Sequence, residues 1–282
     1  MKINRKHHNK YRQKRFLVKP EFLSKVKWLI QEKYGGQLTA YAKKDISRLE
    51  KGEPVDYLIG FIDFLGCKID LSKRTLIPRV ETEFWVEEII KEIKNKKSLF
   101  FGKAQGKISN RLEILDIFAG SGCVGLAVLK HIEGAKMVFV DSEKNCLEQI
   151  KINLKINKIP RRRYEIIKSD VFKNLKSGGF DYILANPPYI ANNIKSRLKI
   201  QESVLNFEPH PAIFGGEDGL FYIKRFLTEA KNFLKHKGEI CMEFSPDQKE
   251  KIKKIVERLK YGKTKFFKDQ YGRWRYAVIE QI

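Results

Sequence analysis

Asn186-Pro187-Pro188-Tyr189 is the run in this chain best suited to hold a reacting group. It closes an apolar stretch, Phe180-Asp181-Tyr182-Ile183-Leu184-Ala185, that reads as a buried strand. A residue before proline is driven toward extended backbone, so Asn186 and Pro187 are both restrained. Neither proline has an N–H to give to a sheet. The result is a stiff platform at the carboxyl end of a strand, where ligands of open α/β sheets bind. Asn186 brings a side-chain carbonyl and Pro187 a main-chain carbonyl. Two fixed acceptors suit a planar –NH2 group, which has two hydrogens to give. The nitrogen of such a group is a weak nucleophile, because its lone pair is delocalised. As it attacks carbon its N–H bonds grow more acidic, so both acceptor bonds strengthen toward the transition state. Tyr189 is expected to pack on the flat substrate and fix its plane.

A second constellation lies upstream. Leu112 to Phe118, LEILDIF, is an apolar strand running into Ala119-Gly120-Ser121-Gly122-Cys123-Val124-Gly125 and then a helix from Leu126 to Ile132. Strand, glycine turn and helix make the cofactor entry of a doubly wound sheet. Glycines let the backbone approach a ligand closely, and the helix N-terminus presents free N–H groups. The next strand, Met137 to Val140, ends at Asp141, a carboxylate placed for the two hydroxyls of a ribose. The glycine spacing alone also matches a dinucleotide fingerprint, but hydride transfer has no use for two carbonyls that grip an –NH2. A methyl sulfonium donor does. S-adenosylmethionine would bring adenine, a ribose diol for Asp141 and a charged amino-acid tail for the glycine loop. Val171 or Phe172, after a third strand at Tyr164 to Ile167, would wall the adenine.

These residues need a scaffold, and the chain supplies an alternation of helices and strands. Residues 20–54 carry two helical patterns, broken at Gly35-Gly36. Tyr57 to Ile62 and Phe64 to Ile69 read as two short strands, a hairpin linker spanning residues 55–78. Thr82 is placed to cap a helix through Trp85, Val86, Ile89, Ile90 and Ile93. Residues 94–111 read as a loop. After the third strand comes the strand that ends at Asn186. A long polar loop follows over residues 190–217, of the kind that serves as a lid or substrate contact. Asp218 would cap a helix to Phe233, and Lys237-Gly238 would turn into a fifth strand, Glu239 to Phe244. A helix from Asp247 to Leu259 and two final strands, Lys263–Phe267 and Arg273–Glu280, complete the sheet. The predicted domains are a basic arm (1–19), a small helical N-terminal domain (20–54), the hairpin linker and a catalytic domain (79–282).

Charge and composition narrow the partners. Lys and Arg number 57 against 34 Asp and Glu, a net charge of +23. Such an excess favours polyanions, RNA above all. Residues 1–15 hold seven Lys or Arg and no acid, so the arm is a candidate for ribosome or RNA contact. Cys67, Cys123, Cys146 and Cys241 are scattered without a C-x-x-C pair, so neither a metal site nor a disulfide framework is expected. No apolar run nears the ~18 residues that span a membrane, and no signal peptide is visible. A cytoplasmic protein without membrane contact is the expectation.

With these motifs in place, the chain resembles a known family. Asn186-Pro187-Pro188-Tyr189, with Leu76-Ile77-Pro78-Arg79-Val80-Glu81-Thr82-Glu83 upstream, resembles the peptide chain release factor glutamine methyltransferases, the HemK/PrmC group. Gly52-Glu53-Pro54-Val55-Asp56-Tyr57-Leu58-Ile59-Gly60 is similar to that family's segment between its helical and catalytic domains. Glu208-Pro209 and Gly215-Gly216-Glu217-Asp218-Gly219-Leu220 are similar to its post-platform loop. The resemblance implies an α/β fold, the seven-stranded Rossmann-like doubly wound sheet of S-adenosylmethionine-dependent methyltransferases. It implies S-adenosylmethionine as donor and, as acceptor, the glutamine of the Gly-Gly-Gln motif of release factors. By position, Phe118, Ala119, Gly120, Ser121, Gly122, Asp141, Val171 and Asn186 would meet the donor. Asn186, Pro187, Pro188 and Tyr189 would hold the glutamine. The family usually has glycine at the position of Phe118 and often proline at that of Val80. Gly35-Gly36-Gln37 repeats the substrate tripeptide within a helix-breaking turn. Two other readings compete: an adenine amino-methyltransferase on DNA or RNA, which would need base flipping, and a non-catalytic RNA- or ribosome-binding protein on the same fold.

Overall fold

The computed structural model describes residues 20–101, 111–176 and 178–282. The basic arm expected at residues 1–19 lies outside the described residues. The described chain divides into two compact units, one ending at Lys51 and the other beginning at Gly52.

The smaller unit holds helices α1 (Pro20–Tyr34) and α2 (Ala40–Glu50). Gly35 and Gly36 between them sit at φ +58° and +85°, backbone that glycine enters without a Cβ penalty. Thr39 caps α2 by accepting from the Ala42 N–H at 3.1 Å. Asp45 accepts from Lys33 and Tyr34 at 2.7 Å each, which ties α2 to the end of α1.

The larger unit opens with α3 (Val55–Ile59) and the hairpin β1 (Phe61–Phe64) and β2 (Cys67–Asp70). The expected strand from Tyr57 begins later, because Val55–Ile59 makes a helical turn closed by Gly60 at φ +97°. Its apolar residues are buried all round, so their spacing did not separate helix from strand. The hairpin read as a linker belongs to this unit. Helix α4 (Val80–Phe101) then starts two residues earlier than Thr82 and runs well into the expected loop. Val80 takes the first helical position, where proline also fits. Lys and Glu are good helix formers, and pairs such as Lys96–Glu92 at 3.0 Å support the extension.

The alternation continues with β3 (Leu112–Ile117), α5 (Cys123–His131), β4 (Ala135–Asp141), α6 (Lys144–Ile156), β5 (Tyr164–Lys168) and β6 (Phe180–Ala185). Two short helices, α7 (Ile194–Arg197) and α8 (Glu202–Phe207), occupy the loop after β6. Then come α9 (Phe221–Ala230), β7 (Leu234–Glu243), α10 (Lys249–Arg258), β8 (Thr264–Lys268) and β9 (Trp274–Glu280). The seven strands lie in the order β5-β4-β3-β6-β7-β9-β8. The first five of these run parallel, and β9 runs antiparallel between β7 and β8. This is an α/β sheet of the S-adenosylmethionine-dependent methyltransferase type. The expected turn at Lys237-Gly238 is absorbed into β7, where Lys237 sits at φ +60° and the register with β6 slips between Phe180 and Tyr182.

Apolar residues pack both faces of the sheet. Trp85, Ile89 and Ile93 of α4, Leu126 and Leu129 of α5, and Ile150 and Leu154 of α6 fill one side. Phe226 and Leu227 of α9 with Ile252 and Val256 of α10 fill the other. The hairpin is fastened to α6 through polar side chains. Asn157 accepts from Lys68 N–H, Asn153 from Asp70 N–H, and Gln149 from Lys73 N–H, at 2.8–3.0 Å. Strand order reverses between β4–β3 and β3–β6, which opens a crevice at the carboxyl ends of β3 and β6. No helix among the described residues is long and apolar enough to cross a membrane.

Candidate active site

A cleft of about 200 Å³ occupies that crevice. Of the residues singled out from sequence, Phe118, Ala119, Gly120, Ser121, Asp141, Val171, Asn186 and Pro188 line it. Gly122, Pro187 and Tyr189 do not. The platform after β6 and the glycine loop after β3 thus open into one space. They are carried by neighbouring parallel strands, with Ile117 in register with Ala185.

The glycine loop is shaped by its own main chain. Phe118, Gly120 and Gly122 all have positive φ, +60°, +55° and +78°. Asp141, at the end of β4, accepts from the Gly120 N–H at 2.8 Å and from the Glu143 N–H at 2.9 Å. A carboxylate offers about four acceptor positions, so Asp141 retains capacity for a diol. Burial pushes its carboxyl upward, against these two N–H groups. Val171, at φ +51°, forms part of the far wall. Phe172 turns into the core instead, stacked on Phe233 at 4.5 Å between ring centres. Apolar Ile117, Val140 and Val171 together with Asp141 suit a nucleoside, with flat apolar faces for a base and a carboxylate for a ribose. The residues present therefore fit S-adenosylmethionine.

Phe118 stands where the resemblance leads one to expect glycine. Its left-handed backbone is the conformation that glycine accepts freely and that costs other residues about 1 kcal/mol or more. Its ring is supported edge-on by Tyr222 at 5.9 Å and Phe226 at 6.1 Å.

The platform is shaped by side chains from elsewhere. Asn186 Nδ2 lies 3.4 Å from Thr82 Oγ1 of α4. Thr82 donates to Glu243 Oε2 at 2.7 Å, and the Trp85 indole N–H donates to the same oxygen at 2.7 Å. Tyr189 donates its hydroxyl to Glu243 Oε1 at 2.9 Å, so that hydroxyl is directed to Glu243. Burial and the nearby Glu243 push the Tyr189 phenol well above its ordinary range. Burial also pushes Glu243 upward, opposed by the three donors and Arg275. Behind the platform, Gln248 Nε2 donates to the carbonyls of Tyr189 and Gly219 at 2.8 and 3.0 Å. A Cβ at Gly215 would stand 2.4 Å from the Pro188 carbonyl oxygen, and one at Gly219 2.3 Å from that of Tyr189. Glycine at both positions lets the returning loop lie directly under the platform.

The other motif segments frame the cleft. Glu208 accepts from the Ile77 N–H at 3.1 Å and from Arg79 at 2.6 Å. Glu53 pairs with Arg74 at 2.5 Å, and the Tyr57 hydroxyl donates to the Thr75 carbonyl at 2.7 Å. Residues 74–79 and Pro209, Pro211 and Ala212 form the rim.

Several site residues were missed from sequence. Asp116 reads from sequence as part of an apolar strand, yet it lines the cleft and accepts from the Gly125 N–H at 2.9 Å. Burial, with Asp141 nearby, pushes its carboxyl up to about 8. The available signal was an acid inside an otherwise apolar central strand. Thr82, read as a helix cap, is inside the first turn and serves the platform. Glu243 carried no local signal. Among the described residues no group of His, Cys, Asp and Glu could hold a metal ion.

Known proteins extend this picture. The Methyltransferase small domain family matches residues 103–217. The hMettl16 catalytic domain, solved in complex with MAT2A 3'UTR hairpin 6, shares the fold with a TM-score of 0.57 at 18% identity, over 77% of this chain and 76% of that one. The bifunctional methyltransferase of Rickettsia conorii is 31% identical over 85% of this chain but 47% of its own length, so the chain spans about half of that relative. The release factor glutamine methyltransferase of Streptococcus pneumoniae is 31% identical over 83% of this chain and 77% of its own length. With the seven-stranded sheet, and with the glycine loop and Asn186 and Pro188 of the Asn-Pro-Pro-Tyr corner facing one cleft, this degree of likeness makes the chain a member of the release factor glutamine methyltransferase family.

Proposed function

We propose that the protein transfers a methyl group from S-adenosylmethionine to the side-chain amide nitrogen of the glutamine in the Gly-Gly-Gln motif of peptide chain release factors. The observation that carries this reading is the sharing of one cleft by Asn186 and the Gly120–Asp141 corner. Family membership supports the substrate, since relatives of this length carry the release factor name. S-adenosylmethionine, when bound, supplies an electrophilic methyl on a sulfonium. Asp141 would accept from its ribose hydroxyls, Val171 would cover its adenine, and Phe118 to Gly122 would surround its tail.

Asn186, which lines the cleft, would accept from the glutamine –NH2 through Oδ1, with the Pro187 carbonyl, which lies outside the cleft lining between Asn186 and Pro188, as the second acceptor. These two bonds turn the nitrogen's face toward the methyl. Were the amide nitrogen to take the methyl from the sulfonium, positive charge would grow on it and the acceptor bonds from Asn186 and Pro187 would strengthen. The extra proton then leaves to water, so no general base is needed. Pro188 walls the acceptor side, and Tyr189, anchored on Glu243, holds the corner rigid. Contact of the basic N-terminal residues with the ribosome or RNA and a cytoplasmic setting belong to the same proposal.

A labelled-methyl assay offering release factor, ribosomal protein and DNA together tests it. Label is expected in release factor, at the Gly-Gly-Gln glutamine. Label in nucleic acid alone would replace this reading with the adenine amino-methyltransferase.

A further inference from the structure

Glu243 is buried at the end of β7, does not line the cleft, and still gathers three donors from two separate parts of the fold. We propose that Glu243 and Thr82 form a positioning relay that decides which end of the Asn186 carboxamide faces the cleft. The proposal rests on Asn186 being the acceptor platform and adds what makes it an acceptor.

An indole N–H can only donate, so Glu243 Oε2 receives a proton from Trp85. Thr82 lies 2.7 Å from that same oxygen, so its single hydroxyl proton is directed there as well. Toward Asn186, Thr82 then has only lone pairs to offer. Of the two ends of a carboxamide, only the –NH2 can meet them. The side-chain oxygen of Asn186 is thereby turned toward the cleft. The two ends have nearly the same shape, so packing alone selects between them weakly. The reversed amide would present –NH2 to a substrate –NH2, donor against donor. The 3.4 Å separation between Asn186 and Thr82 is long for such a bond.

Topology puts the relay in place. Ala185 is in register with Met242 on β7, so Asn186 and Glu243 follow side by side at the carboxyl ends of adjacent strands. Tyr189 holds the other carboxylate oxygen, which fixes the Glu243 plane from the platform side.

Thr82→Val removes the hydroxyl at nearly constant volume, and Thr82→Ser keeps it. With release factor as substrate, Thr82→Val is expected to lower kcat about tenfold, equivalent to about 1.4 kcal/mol, with KM for release factor and calorimetric affinity for S-adenosylmethionine unchanged. Thr82→Ser is expected to restore kcat. Thr82→Ala, which also removes the hydroxyl, is expected to lower kcat in the same manner and provides the test should Thr82→Val not fold. Full kcat in Thr82→Val overturns the relay, as does a loss that Thr82→Ser fails to restore or that appears in donor affinity. Absence of methyl transfer by the unaltered protein would instead overturn the functional reading beneath it.

Discussion

The two corners of the cleft reach similar ends by opposite means. The corner after β3 is made by main chain: three residues at positive φ and N–H groups tied to Asp141. The corner after β6 is made by prolines and by side chains borrowed from α4, β7 and the turn after β7. A ligand held by main chain can be surrounded closely, because nothing projects between it and the backbone. An acceptor aimed at one nitrogen needs a side chain whose rotamer and face are fixed. Substitutions at the first corner should therefore act on donor binding, and those at the second on the chemical step.

Asn186→Ala separates the corners most strongly. It is expected to lower kcat by about a hundredfold or more, the scale of losing one preorganised partner of a developing charge, with donor affinity measured by calorimetry within a few-fold of the unaltered protein. Full activity in this variant would remove the distinction altogether. Asp141→Ala should do the reverse. It releases the Gly120 and Glu143 N–H groups and any ribose contact, so donor affinity is expected to fall about ten- to a hundredfold, in keeping with about 1.5–3 kcal/mol for hydrogen bonds to a charged group. A fall in kcat without a fall in affinity would merge the two corners.

Asp116 gives the first corner a pH signature. Its carboxyl is raised to about 8 in the folded chain from an ordinary 3.8, so between these values the folded state binds the proton the unfolded state has released. Stability from this group is fully present below about pH 4 and is lost as pH rises through about 8. Melting temperature should therefore decline with pH across this window more steeply in the unaltered protein than in Asp116→Asn, and equal slopes would refute the assignment. The smallest effect concerns Phe118. Phe118→Gly and Phe118→Ala both lose the ring, but only alanine keeps the strained φ, so the alanine form should be less stable by about 1 kcal/mol. Equal denaturation midpoints would show the loop relaxing out of its left-handed turn.

What could be read before the fold was known divides along the same line. The platform and the glycine loop were legible because each is contiguous and each depends on backbone chemistry that proline and glycine impose locally. The ends of elements were less so. Tyr57 to Ile62 reads as a strand because the apolar residues of the helical turn Val55–Ile59 are buried on every side, and α4 runs past its expected end because lysine is as good in a helix as in a loop. Tyr189 was expected on the substrate because an aromatic ring beside a platform invites that reading, yet its hydroxyl is claimed by Glu243.

The sequence by itself determined that the chain has a doubly wound sheet, a glycine corner suited to a nucleoside and a proline-stiffened amide, since these follow from local pattern and backbone restraint. Only the tertiary structure decided that Thr82 and Glu243, 161 positions apart, meet beneath Asn186, and that Asp116 turns into the cleft. Contacts across such separations are set by which strands lie side by side, and no local spacing encodes that.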